Sequence, residues 1–234
     1  MNNSKTRQLV LDLPHRAALG RDDFLVTPSN AAAVAMIDQW PDWPSHAVML
    51  IGPPGSGKSH LVEVWRQVSG ARSVSIGDLD EAAVPGLLAS AALAIEDAPG
   101  TELNERALFH LLNLAHQHGA KVLITSAVHP VSWGIKLPDL VSRLRAAPVA
   151  ELGAPDDVLL RGVLVKLFAD RQLAVDESVI SYLLVRMPRS LEAARRLVAE
   201  IDRRALEEKS GVTRAFAARV LAQFEAPGLF AGDD

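Results

Sequence analysis

The chain has 234 residues, 49% of them hydrophobic and 22% charged, which suffices for one large domain or two small ones with a sizeable core. No apolar run reaches eighteen residues and the leading segment carries Lys5, Arg7, Asp12, Arg16, Arg21, Asp22 and Asp23, which argues against a signal peptide or a membrane span. There is no cysteine, hence no disulfide or thiolate metal site, as expected of a cytoplasmic protein, and a net charge of −4 gives no global sign of a DNA-gripping face.

Residues 8–14 read QLVLDLP, with Leu9, Leu11 and Leu13 alternating with Val10 and Asp12. Period-two alternation is the pattern of a half-buried strand, and the same extended peptide on a leading tail also suits a groove on another protein. The residues alone leave both readings open. SNAAAVAMIDQW (29–40) predicts a helix that Ser29 or Asn30 can cap and that WPDWP (40–44) stops. HAVMLIG (46–52) is a buried strand running into GPPGSGKS (52–59), and SHLVEVWRQVSG (59–70) is an amphipathic helix with a glycine end signal. A short strand (72–77), a mostly helical stretch (78–90) and a second buried strand, ALAIED (92–97), follow. Then come a long helix (103–119), a third buried strand (120–126), a short helix (137–147) and a last strand (148–152). Strands that are solid apolar runs, alternating with helices, predict a parallel sheet covered on both faces.

The pattern changes near Gly153. Four segments, 155–172, 176–187, 188–210 and 213–224, are helical in period, with start signals at Pro155, Asp156 and Asp157, at Asp176, at Pro188 and at Thr213. The expected organisation is a tail (1–20), an α/β domain (21–153) and a helical domain (154–234). His110, His116 and His118 share one predicted helix, at spacings that do not put them on one face as H-E-x-x-H does.

GPPGSGKS fits G-x-x-x-x-G-K-[ST], the phosphate-binding loop. Its glycines let the backbone turn its N–H groups onto phosphate oxygens, Lys58 reaches the terminal phosphates, and Ser59 is placed to hold Mg²⁺. The helix behind it adds its positive end. The expected contacts run through Gly52, Pro53, Pro54, Gly55, Ser56, Gly57, Lys58, Ser59 and His60. ALAIED ends in Glu96 and Asp97, where a metal-holding acid and a water-orienting acid belong in such a protein. The order is the reverse of the usual Asp–Glu, so Glu96 takes the metal position and Asp97 the catalytic one.

A phosphate-loop sheet domain followed by a helical lid resembles the AAA+ plan, and in detail the nucleotide-binding domain of the replication initiator DnaA and its Hda-type regulators. FLVTPSN (24–30) resembles the stretch bordering the adenine pocket, which assigns Phe24 and Leu25 to the base, although Thr27 and Pro28 depart from the pattern. LITSAVHP (123–130) resembles the sensor-1 strand, with Ala127 where an acid is usual. DLVSRL (139–144) is similar to the box carrying the arginine finger, which implies that role for Arg143, with Asp139 replacing the box's first arginine. RMPRSLEAA (186–194) resembles the lid helix of sensor 2 and puts Arg189 there, closing over the nucleotide.

In Hda-type proteins a Q-L-x-L-x-L tail docks on the polymerase III β sliding clamp, which implies clamp contacts for Gln8, Leu9, Leu11 and Leu13. The resemblance implies a chain that carries ADP or ATP with Mg²⁺, hydrolyses little itself, and supplies Arg143 in trans to ATP on DnaA. It resembles the motor domain without a DNA reader, so sequence-specific DNA binding is not expected, and a homodimer stays open. Two other readings remain: a self-hydrolysing ATPase of clamp-loader or helicase-loader type, and an adaptor that joins clamp and DnaA without chemistry.

Overall fold

The computed structural model describes residues 24–101 and 103–224, so Gln8, Leu9, Leu11 and Leu13 of the tail motif lie outside the described residues. These residues divide into two compact units, one reaching Asp156 and the other starting at Asp157.

The first unit is built on five strands: β1 (Ala47–Ile51), β2 (Arg72–Ser75), β3 (Ala92–Ala98), β4 (Lys121–Ser126) and β5 (Val149–Glu151). They lie in the order β2-β3-β4-β1-β5, and every pairing is parallel. Successive strands run the same way because helices return the chain: α2 (Lys58–Ser69), α4 (Glu105–His118) and α5 (Pro138–Ala146), with α1 (Ala31–Asp38) leading into β1. Apolar side chains go to both faces. Met49 and Ile51 of β1 pack with Leu93, Ile95, Val122 and Ile124 against the α4–α5 layer. Val48 and Leu50 join Leu61, Val64 and Trp65 on the other face. Trp65 is fully buried there in one cluster with Ala92 and Ala94, small residues that leave room for the indole. Burial on both faces is the physical source of the uninterrupted apolar runs.

The stretch 78–90 is not mostly helical. It holds turns and the single short helix α3 (Val84–Leu87). Pro85 and Gly86 sit in that one turn, and neither residue sustains a longer helix.

The second unit is α6 (Asp157–Asp170), α7 (Glu177–Arg186), α8 (Leu191–Glu208) and α9 (Arg214–Phe224) around a core including Leu160, Leu164, Phe168, Leu183, Leu197 and Ile201. Thr213 caps α9, its hydroxyl accepting from the amide of Phe216 at 3.2 Å. Helix α8 starts later than Pro188: Ser190 is its cap, accepting from Ala193 N at 3.2 Å, because a hydroxyl satisfies an orphan amide and proline has no such group. Among the described residues no helix is long and apolar enough to cross a membrane.

Candidate nucleotide-binding site

The glycine-rich loop springs from the carboxyl end of β1, between two neighbouring strand ends. Gly52 donates to the carbonyl of Ser126, the last residue of β4, at 3.0 Å, and Leu152 just beyond β5 donates to the carbonyl of Ile51 at 2.7 Å. A Cβ on Gly52 would stand 2.7 Å from both Leu152 O and Ser56 Oγ, so only glycine fits this strand end. Gly55 and Gly57 have φ of 72° and 103°, a region that suits glycine. Gly57 immediately precedes α2, so the unpaired amides of the helix's first turn open into the loop.

Lys58 lies across this loop. Its ammonium donates to the carbonyls of Gly52 at 2.7 Å and Pro53 at 3.2 Å. Partial burial holds its pKa below the usual lysine value, and the charge of Asp97 offsets part of that drop. The Ser56 hydroxyl is buried and has no hydrogen-bond partner among the described residues, an unsatisfied polar atom inside the cradle. Pro53, Pro54 and Ser59 are exposed, with Ser59 in the first turn of α2.

Phe24 and His60 meet edge to face, ring centroids 5.0 Å apart, on one flank of the loop, with Leu25 partly exposed beside them. Asn30 holds this segment in place rather than capping α1. Its Oδ1 accepts from the amide of Thr27 at 2.8 Å and its Nδ2 donates to the carbonyl of Leu25 at 2.9 Å. Gly153 N donates to Ser29 O at 2.9 Å and ties the segment to the end of β5.

The two carboxylates part company. Between the pairs Ile95↔Ile124 and Ala98↔Ser126 the register shifts, so Glu96 and Asp97 face Thr125 alone, a β-bulge. Asp97 takes φ 63° and its amide donates to Thr125 Oγ1 at 3.0 Å. The carboxylate of Glu96 turns to the neighbouring strand and accepts from Ser73 Oγ. Asp97 is thus the acid whose field reaches Lys58, while Glu96 is held on the β2 side. Thr125 and Ser126, almost wholly buried residues ending an apolar strand, belong to the 123–130 stretch, and the Thr125 hydroxyl and the Ser126 carbonyl hold the amides of Asp97 and Gly52. Polar residues closing a run of buried apolar ones are the signal that marks them.

Arg143 is not part of this cluster. It lies near the carboxyl end of α5, its guanidinium 5.6 Å from the ring centroid of Phe109, and it lines a cavity of about 130 Å³ with Ser45, His46, Ala47 and His116. Ser45 and His46 precede β1, so Arg143 sits at the opposite edge of the sheet from the loop that follows β1. Arg145 is exposed. Arg189 belongs to the helical unit, where its guanidinium lies 2.8 Å from the Asp157 carboxylate.

The residues around 52–59 fit a nucleotide's phosphates. The loop glycines, the ammonium of Lys58 and the free end of α2 supply donors, and the exposed Ser59 hydroxyl with Asp97 supplies oxygens for a hard divalent cation.

No protein-family model matches this chain, and no curated protein matches it. Solved structures do. Domain III of the Thermotoga maritima replication initiation protein DnaA superposes with a TM-score of 0.76 at 20% identity, over 92% of this chain and 100% of that one. AMPPCP-bound DnaA from Aquifex aeolicus gives 0.65 at 18% identity, over 80% and 68%. The Thermotoga maritima RuvB Holliday junction branch migration motor gives 0.65 at 15% identity, over 86% and 68%. What is shared at these identities is the fold: a parallel five-stranded sheet domain with a helical carboxyl-terminal part.

Proposed function

We propose that this chain binds ADP or ATP with Mg²⁺ in the 52–59 loop and acts as a negative regulator of replication initiation, supplying Arg143 to ATP held by a DnaA molecule. The observation that carries the reading is the separation of Arg143 from the chain's own phosphate loop. Strand β1 lies between them, and its five residues span roughly 16 Å at about 3.3 Å each. An arginine at that edge serves a phosphate on a neighbour. Supplied in trans, it neutralises charge on the transferring phosphoryl group and is worth about 10³–10⁵ in rate. The likeness to DnaA structures, one of them AMPPCP-bound, supports a nucleotide in the loop.

The 8–14 peptide moors the protein to the polymerase III β clamp, offering Gln8 to a polar pocket and Leu11 with Leu13 to an apolar one, with Leu9 beside them. In the helical unit Arg189 is the residue assigned to closing over the nucleotide, and in that role it exchanges Asp157 for a phosphate.

The test is an ATP hydrolysis assay with DnaA, DNA-loaded clamp and this protein, omitting each in turn. Fast hydrolysis is expected only with all three. Equal turnover by this chain alone identifies a self-hydrolysing ATPase instead. Binding to clamp and DnaA without any gain in hydrolysis identifies an adaptor. Replacing Gln8, Leu11 and Leu13 by alanine should abolish clamp binding with the melting temperature unchanged. A drop of several degrees would show an intramolecular strand.

A further inference from the structure

The cavity beside Arg143 is separate from the phosphate loop and has a chemistry of its own. It holds about 130 Å³, well below the roughly 300–1,000 Å³ of sites for drug-sized ligands, so it suits a small ion rather than a nucleoside. Its polar lining comes from three elements: Ser45 and His46 from the segment before β1, His116 from α4 and Arg143 from α5. Among the described residues no carboxylate lines it.

The charges around this cavity have one sign. Arg143 is a permanent cation. Lys121 of β4 stands close by, its ammonium donating to the carbonyl of Ser45 at 3.3 Å. His46 and His116 meet edge to face, ring centroids 4.7 Å apart. Arg143 repels a metal cation, and two imidazoles alone are an incomplete ligand set. The hydroxyl of Ser45 accepts from the amide of Ala47 at 3.4 Å, which leaves its own proton free to donate.

His46 has a fixed tautomer. Its Nδ1 lies 3.3 Å from the carbonyl oxygen of Ala120, and a carbonyl only accepts, so Nδ1 carries the proton. In the neutral ring Nε2 then holds a lone pair and repels an anion. A second proton converts Nε2 to a donor, at a cost raised by Arg143, Lys121 and, when it is charged, His116. An anion among these groups offsets that cost, so anion and proton bind together.

We propose that this cavity binds one small tetrahedral oxyanion of the phosphate class, held by Arg143 and by His46 in its protonated form. Donors arriving from three elements surround a tetrahedral anion, whereas a planar carboxylate is satisfied by one guanidinium fork. The site rests on the cavity alone and stands whether or not Arg143 serves a neighbour's ATP.

The test follows the ring signals of His46 and His116 by NMR in the full chain, assigned with His46→Gln and His116→Gln. These signals report this cavity and not the phosphate loop. Sulfate is the first probe, because its charge is constant between about pH 6 and about pH 8, where histidine loses its charge. Both rings should shift along one saturable curve. Affinity should be highest at the acid end and fall as pH rises, because the bound form carries the extra proton. His46→Gln should flatten that dependence. Arg143→Gln should weaken sulfate at least about tenfold, the loss of one charge-assisted partner. Arg143→Lys keeps fold and charge and should recover only part, which covers a misfolded glutamine variant. Inorganic phosphate should displace sulfate. ATP that displaces it no better than inorganic phosphate assigns the free ion, and tighter displacement by ATP assigns a phosphate tethered to a nucleotide; both support a phosphate-class site. Acetate as effective as sulfate shows a carboxylate site and overturns the proposal. So do shifts that never saturate, affinity independent of pH in the wild type, and wild-type affinity in Arg143→Gln. A pH dependence that survives in His46→Gln removes the proton from His46 and overturns the proposal as well.

Discussion

The backbone amide of Asp97 donates to the hydroxyl of Thr125 at 3.0 Å, and this bond sits in the bulge that separates Asp97 from Glu96. Without the bulge, alternation along β3 would return Asp97 to the face of Ile95. With it, Ala98 takes that place in the core beside Ile95, and the Asp97 side chain is released toward the phosphate loop. One extra residue in a strand thereby selects which of two adjacent acids lies in the field of Lys58.

That selection can be measured. Asp97→Asn should weaken nucleotide affinity in the presence of Mg²⁺ more than Glu96→Gln does, by about tenfold or more if the carboxylate holds the cation. Asparagine tolerates the φ of 63° at this position, so the variant should fold. A larger loss in Glu96→Gln, read as the Mg²⁺ dependence of nucleotide titrations, would return the metal role to Glu96.

Lys58→Met should abolish nucleotide-dependent stabilisation, which in the wild type reaches about 2.7 kcal/mol at a hundredfold excess over Kd. Without nucleotide its stability should change by less than about 1 kcal/mol, because lost hydrogen bonds to Gly52 and Pro53 oppose relief of a desolvated charge. The sign in pH follows from the lowered pKa. Between the lowered folded-state value and 10.5 the unfolded chain binds more protons, so this lysine makes stability rise with pH across that window, and Lys58→Met lacks the rise. A wild-type melting curve indifferent to millimolar ADP and ATP would remove the basis for the nucleotide site.

Gly52→Ala places a methyl group 2.7 Å from the Leu152 carbonyl oxygen, a backbone atom that cannot swing aside. The expected cost is about 1–3 kcal/mol in denaturant unfolding, with loss of nucleotide binding as the loop shifts. An alanine variant with wild-type stability would show that the β1–β5 approach is looser than described.

Arg143→Ala should leave folding, nucleotide binding and clamp binding intact and remove stimulation of ATP hydrolysis by DnaA. Arg145→Ala, on the same helix, is the internal control. Arg143→Lys should rescue only in part, since an ammonium lacks the planar fork. If Arg145→Ala is the variant that loses stimulation, the motif alignment is displaced by two residues. If neither matters, the arginine is not acting in trans.

The sequence by itself determined what depends on neighbours along the chain. Solid apolar runs define the strands, and 3.6-residue periodicity defines the long helices, including the strand-free stretch after Gly153. GPPGSGKS specifies its own turn, because Gly55 and Gly57 need no distant partner to take positive φ. The tertiary structure decided what depends on distant segments. The bulge at Glu96 and Asp97 exists only against β4, so no local pattern shows which acid turns to Lys58 and which to Ser73. Gly52 is irreplaceable because Leu152, a hundred residues on, closes over it. The 78–90 stretch carries apolar residues in helical spacing, yet Pro85 and Gly86 confine its helix to one turn. The convergence of His46, His116 and Arg143 on one cavity arises only when α4 and α5 pack beside the start of β1. Separations of this kind are set by how strands and helices are stacked, and stacking is a property of the folded core rather than of any window of sequence.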